Sequence, residues 1–168
     1  MLDVVITGAG PAGARSACLC ARAGLRTLLV ERDILPRDKC CAGGLLERAA
    51  ALLDDPIPET VIEREINTVS IVHSTFREEF ELPNRAAVTV RRSAFDAYLV
   101  DMAVKAGAEL WTPSRISRVR ESTDGVELTI DGRAVNTKAL IIAEGATSRT
   151  ASSVFGPYHG RNQGIGMA

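Results

Sequence analysis

The stretch Leu2-Asp-Val-Val-Ile-Thr-Gly-Ala-Gly-Pro-Ala-Gly13, answered 18 residues later by Glu31, decides the fold of this chain. Leu2 to Thr7 is a short run rich in β-branched residues, of the kind a buried parallel strand requires. Gly8, Gly10 and Gly13 follow at G-x-G-x-x-G spacing, and each has a mechanical reason. Gly8 permits a tight turn, Gly10 lets backbone approach a pyrophosphate, and Gly13 lets helix and strand pack closely. Pro11 suits a first helical turn, and Gly24 supplies a stop after about Ala23. Arg26 to Glu31 then reads as a second strand ending on a carboxylate. That spacing predicts a βαβ unit with phosphates at the helix N-terminus and Glu31 accepting hydrogen bonds from both ribose hydroxyls of an adenosine. The same carboxylate would repel a 2′-phosphate, which disfavours NADP as the ligand held here. The fingerprint by itself does not separate NAD from FAD.

With 168 residues, 46% apolar composition and a net charge of -1, the chain has enough material for one ordinary core, and disorder is not expected. Lys and Arg are scattered without a basic stripe, so no nucleic-acid partner is expected. No apolar run approaches the roughly 18 residues of a membrane-spanning helix. The expectation is a cytoplasmic protein, with peripheral membrane contact left open. The cysteines are Cys18, Cys20, Cys40 and Cys41, without zinc-type spacing, and His73 and His159 lack a second ligand nearby in sequence, so no metal is expected. Cys18 and Cys20 fall on different sides of the first helix.

Beyond Glu31 and Arg32 the pattern leaves that of a plain alternating α/β fold. The loop Pro36-Arg-Asp-Lys-Cys-Cys-Ala-Gly-Gly-Leu-Leu46 comes first, then a helix predicted over 45–53, closed by Asp54-Asp55-Pro56-Ile57-Pro58. Strands are predicted over 67–73, 76–82 and 86–90, with a turn at Pro83-Asn84. A helix opens at Ser93, with Asp96 completing a variant capping box and Phe95, Leu99, Met102, Ala103 and Ala106 on one face. Glu109 to Thr112 can return to the parallel sheet. Three short strands at about 115–121, 126–130 and 133–138, joined at Asp124-Gly125 and Asp131-Gly132, form a meander. A buried strand over 139–143 follows, ending at Glu144-Gly145-Ala146. The fold class is thus α/β: a Rossmann-like unit with a parallel sheet, a three-stranded antiparallel meander and part of a second β-rich layer. It is read as one unit over 1–168, with 60–91 and 155–168 belonging to an incomplete substrate-binding layer.

These motifs resemble the FAD-dependent oxidoreductases of the geranylgeranyl reductase family, within the wider group that includes aromatic-ring hydroxylases. The resemblance rests on GAGPAG with Glu31, on PRDKCCAGGL, on Arg92-Ser-Ala-Phe-Asp96 with Leu99 and Gly107-Ala108, and on IIAEGATSR. It implies FAD as the cofactor, NADPH or ferredoxin as the reductant, and a prenyl or other hydrophobic substrate. Lys39, Cys41, Gly43 and Gly44 match a K-x-C-x-G-G-like loop that lies by the flavin ring in the family, with Ala42 inside it. Arg92 matches a cofactor-contacting arginine, Ala12 stands beside the phosphates, Arg32 follows the ribose carboxylate, and the backbone at Ile116 matches a position near the adenine. Cys41 is the implied acid or polarising group, with Cys40 its rival and a disulfide between the two too strained to expect.

Two departures stand out. Glu144, with Gly145, occupies the place of an Asp-Gly pair near the cofactor, and Ala42 replaces a frequent Gly. Members are more than twice as long, so a partner chain or further polypeptide supplying a C-terminal half is expected. The alternatives are an aromatic hydroxylase and a catalytically silent fragment.

Overall fold

The computed structural model describes residues 1–82 and 86–156. In chain order its elements are β1 (Leu2–Thr7), α1 (Pro11–Arg22), β2 (Thr27–Val30), β3 (Gly44–Leu46), α2 (Glu47–Ala50), β4 (Ile62–Ile66), β5 (Thr68–His73) and β6 (Phe76–Glu81). Then come β7 (Ala87–Val90), α3 (Arg92–Lys105), β8 (Glu109–Trp111), β9 (Ile116–Ser122), β10 (Gly125–Ile130), β11 (Arg133–Ile142) and α4 (Arg149–Phe155). The described residues divide into two compact units. One comprises Met1–Arg37 and the chain from Asp96 onward, the other Asp38–Phe95. The sequence led to a single unit whose second layer began near residue 60. The separate unit begins at Asp38 because the loop after Pro36 is tied into its sheet: Gly44, Leu45 and Leu46 pair with Thr89, Val88 and Ala87.

The first unit is built on a six-stranded sheet in the order β8-β2-β1-β11-β10-β9. β8, β2, β1 and the end of β11 run parallel, and β11, β10 and β9 form the antiparallel meander. The predicted strands 133–138 and 139–143 are one continuous β11. No turn residue interrupts Lys138-Ala139, so the strand leaves β10 and joins β1 without a break, and Thr137 is in register with both Val126 and Leu2. Alternation sorts the side chains by face. Val5, Leu28, Val30, Leu128 and Ile130 form a fully buried cluster, with Trp111, Val119 and Leu140 packed against it. Val4, Ile6 and Leu29 are buried in alternation with them, and α1 packs on β1 and β2 through Ala14, Ala17 and Cys18. Small residues on that helix face permit the close approach, at about 0.8 kcal/mol for each methylene taken from water.

On α3 the buried positions are Phe95, Asp96, Leu99, Val100 and Ala103. The stripe is rotated from the predicted one, with Met102 and Ala106 only half-buried. Its helix begins at Arg92, so Ser93 lies inside the first turn rather than at the cap.

The second unit holds a three-stranded sheet in the order β3-β7-β4 and the separate hairpin β5-β6. The predicted helix over 45–53 shrinks to α2, because Gly44 to Leu46 is claimed by pairing with β7. In the hairpin Val69 faces Phe80, Ile71 faces Glu78 and His73 faces Phe76, which leaves Val72 opposite Arg77 on one face and puts Val69, Ile71, Phe76 and Phe80 on the other. That face is exposed, with Ile71 at 50% and Phe76 at 49%. The predicted Pro83-Asn84 turn, His159 and the expected β layer from 157 onward lie outside the described residues, and Phe155 closes α4 instead of opening a strand. Among the described residues no helix is long and apolar enough to cross a membrane.

Candidate nucleotide site and cysteine loop

β1 leads through α1 to β2 on one side, while its other neighbour is β11. β1 and β11 are parallel, but the order in which strands are added to the sheet reverses between them, and a parallel sheet offers its ligand crevice at such a switch, beyond the carboxyl ends of the strands. Gly8 and the turn after Ile142 meet there. The Ala143 N–H donates to the Thr7 carbonyl at 2.8 Å, and the Gly8 N–H donates to the Val30 carbonyl at 2.8 Å. Gly8 adopts φ +96°, and a Cβ on it would stand 2.5 Å from the Ala143 carbonyl oxygen. At Gly13 a Cβ would stand 1.8 Å from the Gly8 carbonyl oxygen. Neither position tolerates a side chain, which is the close helix–strand contact the fingerprint predicts. Gly10 is the extended N-cap of α1 and supplies no side-chain cap, and Ala12 is exposed on the first turn. The first N–H groups of α1 thus have no side-chain cap, which fits a phosphate.

Glu31 is only 3% exposed. Its Oε2 accepts from the Ala9 N–H at 2.8 Å and its Oε1 from the Asp33 N–H at 3.1 Å. Arg37 Nη2 stands 3.5 Å from the same Oε2, and Arg37 Nη1 donates to Asp96 Oδ2 at 3.1 Å. Arg32 is exposed and pairs with Asp33 at 3.2 Å.

Across the crevice, Glu144 Oε1 accepts from Thr7 Oγ1 at 2.7 Å and Thr150 Oγ1 at 2.6 Å. Its Oε2 accepts from Ser148 Oγ at 2.7 Å and the Thr150 N–H at 3.2 Å. Burial pushes the Glu144 carboxyl up, but the Thr150, Thr7 and Ser148 hydroxyls and the Thr150 N–H outweigh it and hold its pKa below the usual glutamate value. Gly145 follows with φ +82°. Ile116 lies on β9, in register with Ile130, its side chain packed against the buried cluster.

In the second unit, Gly43 has φ +70° and is buried against β7. Its carbonyl accepts from the Val90 N–H at 2.9 Å, and a Cβ on it would stand 2.1 Å from the Val90 carbonyl oxygen. The Gly43 N–H in turn donates to Cys41 Sγ at 3.4 Å. Cys40, Cys41 and Ala42 are exposed, while Arg92 is half-buried. Lys39, Cys40, Cys41, Arg91 and Arg92 share an open cleft of about 430 Å³ with Glu63. Arg91 is paired with Glu63 at 3.0 Å.

Of the residues singled out from the sequence, one unit gathers Gly8, Gly10, Ala12, Gly13, Glu31, Glu144 and Gly145 near the ends of β1 and β11. The other gathers Cys41, Ala42, Gly43, Gly44 and Arg92 around the loop. Sequence reasoning missed Arg37, Asp96 and the hydroxyls of Thr7, Ser148 and Thr150. Asp96 had a signal: it is the one carboxylate on the buried stripe of α3, and a buried charge requires a partner. Among the described residues no group of three or more His, Cys, Asp or Glu could hold a metal ion.

The chain is 31% identical to a menaquinone reductase of Mycolicibacterium smegmatis, over 99% of this chain and 42% of that protein. It is 30% identical to protein FixC of Escherichia coli K12, over 92% of this chain and 39% of that protein. The structure superimposes on a geranylgeranyl bacteriochlorophyll reductase-like protein of Thermoplasma acidophilum with a TM-score of 0.73 at 26% identity, covering 86% of this chain and 39% of the other. The halogenase PltM, solved with phloroglucinol and FAD, shares the fold at a TM-score of 0.74 and 19% identity, over 92% of this chain and 36% of that one. The chain spans about two-fifths of the length of the curated relatives it matches. The family model for FAD dependent oxidoreductases matches residues 3–147, from the start of β1 through the Glu144 turn, and the chain belongs to that family.

Proposed function

We propose that the chain carries the FAD site of a reductase that saturates C=C bonds in prenyl chains. The observation that carries this reading is the pinned loop, in which Gly43 fixes Cys41 Sγ in a cleft shared with Arg92. An isolated C=C bond has no carbonyl to polarise it, so one carbon must take a hydride while the other takes a proton. FAD, once reduced by NADPH or ferredoxin, supplies the hydride. The glycine-lined turn and the first turn of α1 hold the phosphates, and Glu31 takes ribose hydroxyls. Cys41 acts as the acid: its S–H bond breaks as the new C–H bond forms, and the thiolate regains a proton from water. The Gly43 N–H already directed at Sγ orients the thiol for that transfer. A long apolar substrate brings the site into contact with a membrane surface. The reductase-like protein of T. acidophilum supports this reading.

A second reading has the isolated chain silent until further polypeptide, in the same or a partner chain, covers the exposed apolar face of the β5-β6 hairpin.

The first test is the visible spectrum of the purified chain after incubation with FAD and desalting. About one FAD retained per chain is expected, followed by gain of two hydrogens per double bond when geranylgeraniol is incubated with the dithionite-reduced protein. Serine at position 41 should abolish the turnover while leaving FAD bound. Retained FAD with no saturated product would overturn the prenyl reading, and oxygen uptake on a phenol would replace it with the hydroxylase. A colourless chain would favour the silent one.

A further inference from the structure

Within the first unit, two carboxylates with almost no exposure share one guanidinium. The Glu31 side chain is 4% exposed and the Asp96 side chain 0%, and Arg37, itself 13% exposed, reaches both through different nitrogens. Such a cluster is a poor way to gain stability. Removing three ions from water costs several kcal/mol apiece, and apolar replacements of the same volume often serve as well. Its geometry, however, fixes the one carboxylate that the fingerprint aims at a ribose. Glu31 is held at Oε2 by the Ala9 N–H and Arg37, and at Oε1 by the Asp33 N–H. An ionised carboxylate oxygen accepts two hydrogen bonds, so Oε1 retains an acceptor position.

We propose that Arg37 is the positioning residue that presents Glu31 to the adenosine ribose, anchored from behind by Asp96 on α3. The proposal rests on the reading that Glu31 takes ribose hydroxyls. Arg37 touches no ligand in this role. It holds Glu31 in orientation by standing between two carboxylates that would otherwise repel each other. A Glu31 rotated out of this position no longer accepts from the 2′-hydroxyl. A lysine cannot replace the guanidinium, because a single nitrogen cannot make both contacts with the fork geometry seen here.

The experiment compares the affinities of ADP and 2′-deoxy-ADP for the whole chain by calorimetry, with thermal melting beside it. Loss of a hydrogen bond to a charged group predicts that the wild-type chain binds ADP about tenfold more tightly than the deoxy compound. In Arg37→Met that preference should fall below about threefold, and Arg37→Lys should resemble it even where its melting temperature is preserved. A general loss of stability would weaken both ligands alike and leave their ratio unchanged, so a tenfold ratio retained in either variant overturns the positioning role. Should Arg37→Met not fold, Arg37→Lys decides alone. A wild-type ratio near one, or no ADP binding, overturns the ribose reading itself and the proposal with it, which distinguishes the two failures.

Discussion

Replacing Gly13 by alanine is the most direct test of whether close packing holds the nucleotide cradle. The added Cβ would lie 1.8 Å from the Gly8 carbonyl oxygen and 3.2 Å from the Ala143 Cβ, where ordinary contact begins near 3.4 Å. The Gly8 turn would therefore have to open by about 1.6 Å, and the obstacle is backbone that cannot rotate aside. Overpacking of this kind costs about 1–3 kcal/mol. Alanine recovers up to about 1 kcal/mol through helix propensity. Because the obstacle is backbone, the upper part of that cost, about 2–3 kcal/mol, applies, and the net expectation is a loss of about 1–2 kcal/mol, or roughly 2–8 °C in melting temperature for a chain of this size. On the proposed function the displaced turn holds the phosphates, so FAD affinity should fall at least about tenfold, beyond what the melting shift implies. Gly44→Ala is the control: its Cβ would meet nothing within 4 Å, so melting should change by less than about 0.5 kcal/mol. Differential scanning fluorimetry and flavin-fluorescence titration read both quantities. If Gly13→Ala melts within about 1 °C of wild type and binds FAD within twofold, the contact does not shape the cradle and the argument from close approach is wrong.

Two further outcomes follow from side-chain geometry. Glu144→Gln would turn an amide NH2 toward hydroxyl and N–H donors, costing about 1–3 kcal/mol at neutral pH by chemical denaturation. Since the folded carboxyl has a lowered pKa, its contribution is complete above the unfolded value of about 4.3 and is lost as pH falls through the folded value. The gap between wild type and variant should therefore narrow in acid, and a gap that widened would refute the role of the ionised form. Gly43→Ala meets both a positive φ and a Val90 carbonyl oxygen 2.1 Å from its Cβ. It should destabilise by about 1–3 kcal/mol and change the rate at which Cys41 reacts with a chromogenic disulfide, measured in a Cys40→Ser background. An unchanged rate would mean that Gly43 does not set the thiol's position.

Legibility from sequence followed the range of the interactions concerned. The βαβ unit was readable because its determinants are local: β-branched residues, glycines at fixed offsets and an acid at the next strand end. The meander was readable because Asp-Gly marks a tight turn wherever it occurs. What could not be read was pairing between distant segments. Nothing within residues 45–53 announces that Gly44 to Leu46 will be claimed by Ala87 to Thr89, so a helix was expected where a strand takes the first positions. Nothing at Lys138-Ala139 announces whether two strands meet or one continues, because the deciding partners, β10 and β1, are far apart in sequence. Arg37 and Asp96 are separated by 59 residues and meet only after α3 has docked.

The two carboxylates at the strand ends pose an electrostatic problem that their hydrogen bonds resolve. Glu31 follows β2 and Glu144 follows β11, the strands on either side of β1, and a nucleotide bound beyond β1 would bring its own negative phosphates between them. Free carboxylates there would oppose the ligand. Glu144 is instead occupied at both oxygens by four donors from Thr7, Ser148 and Thr150, so its charge is spent on tying β1, the turn and α4 together. The longer side chain in place of aspartate lets the carboxylate reach the hydroxyl of Thr7, on the neighbouring strand, and that of Thr150, on α4, at once. Glu31 is compensated differently, by the Ala9 and Asp33 N–H groups and the shared guanidinium of Arg37, and it alone keeps an acceptor position at Oε1. The two acids that look equivalent in sequence thus divide the work: Glu144 ties β1, the turn and α4 together, while Glu31 keeps the acceptor position that the proposed ribose contact requires.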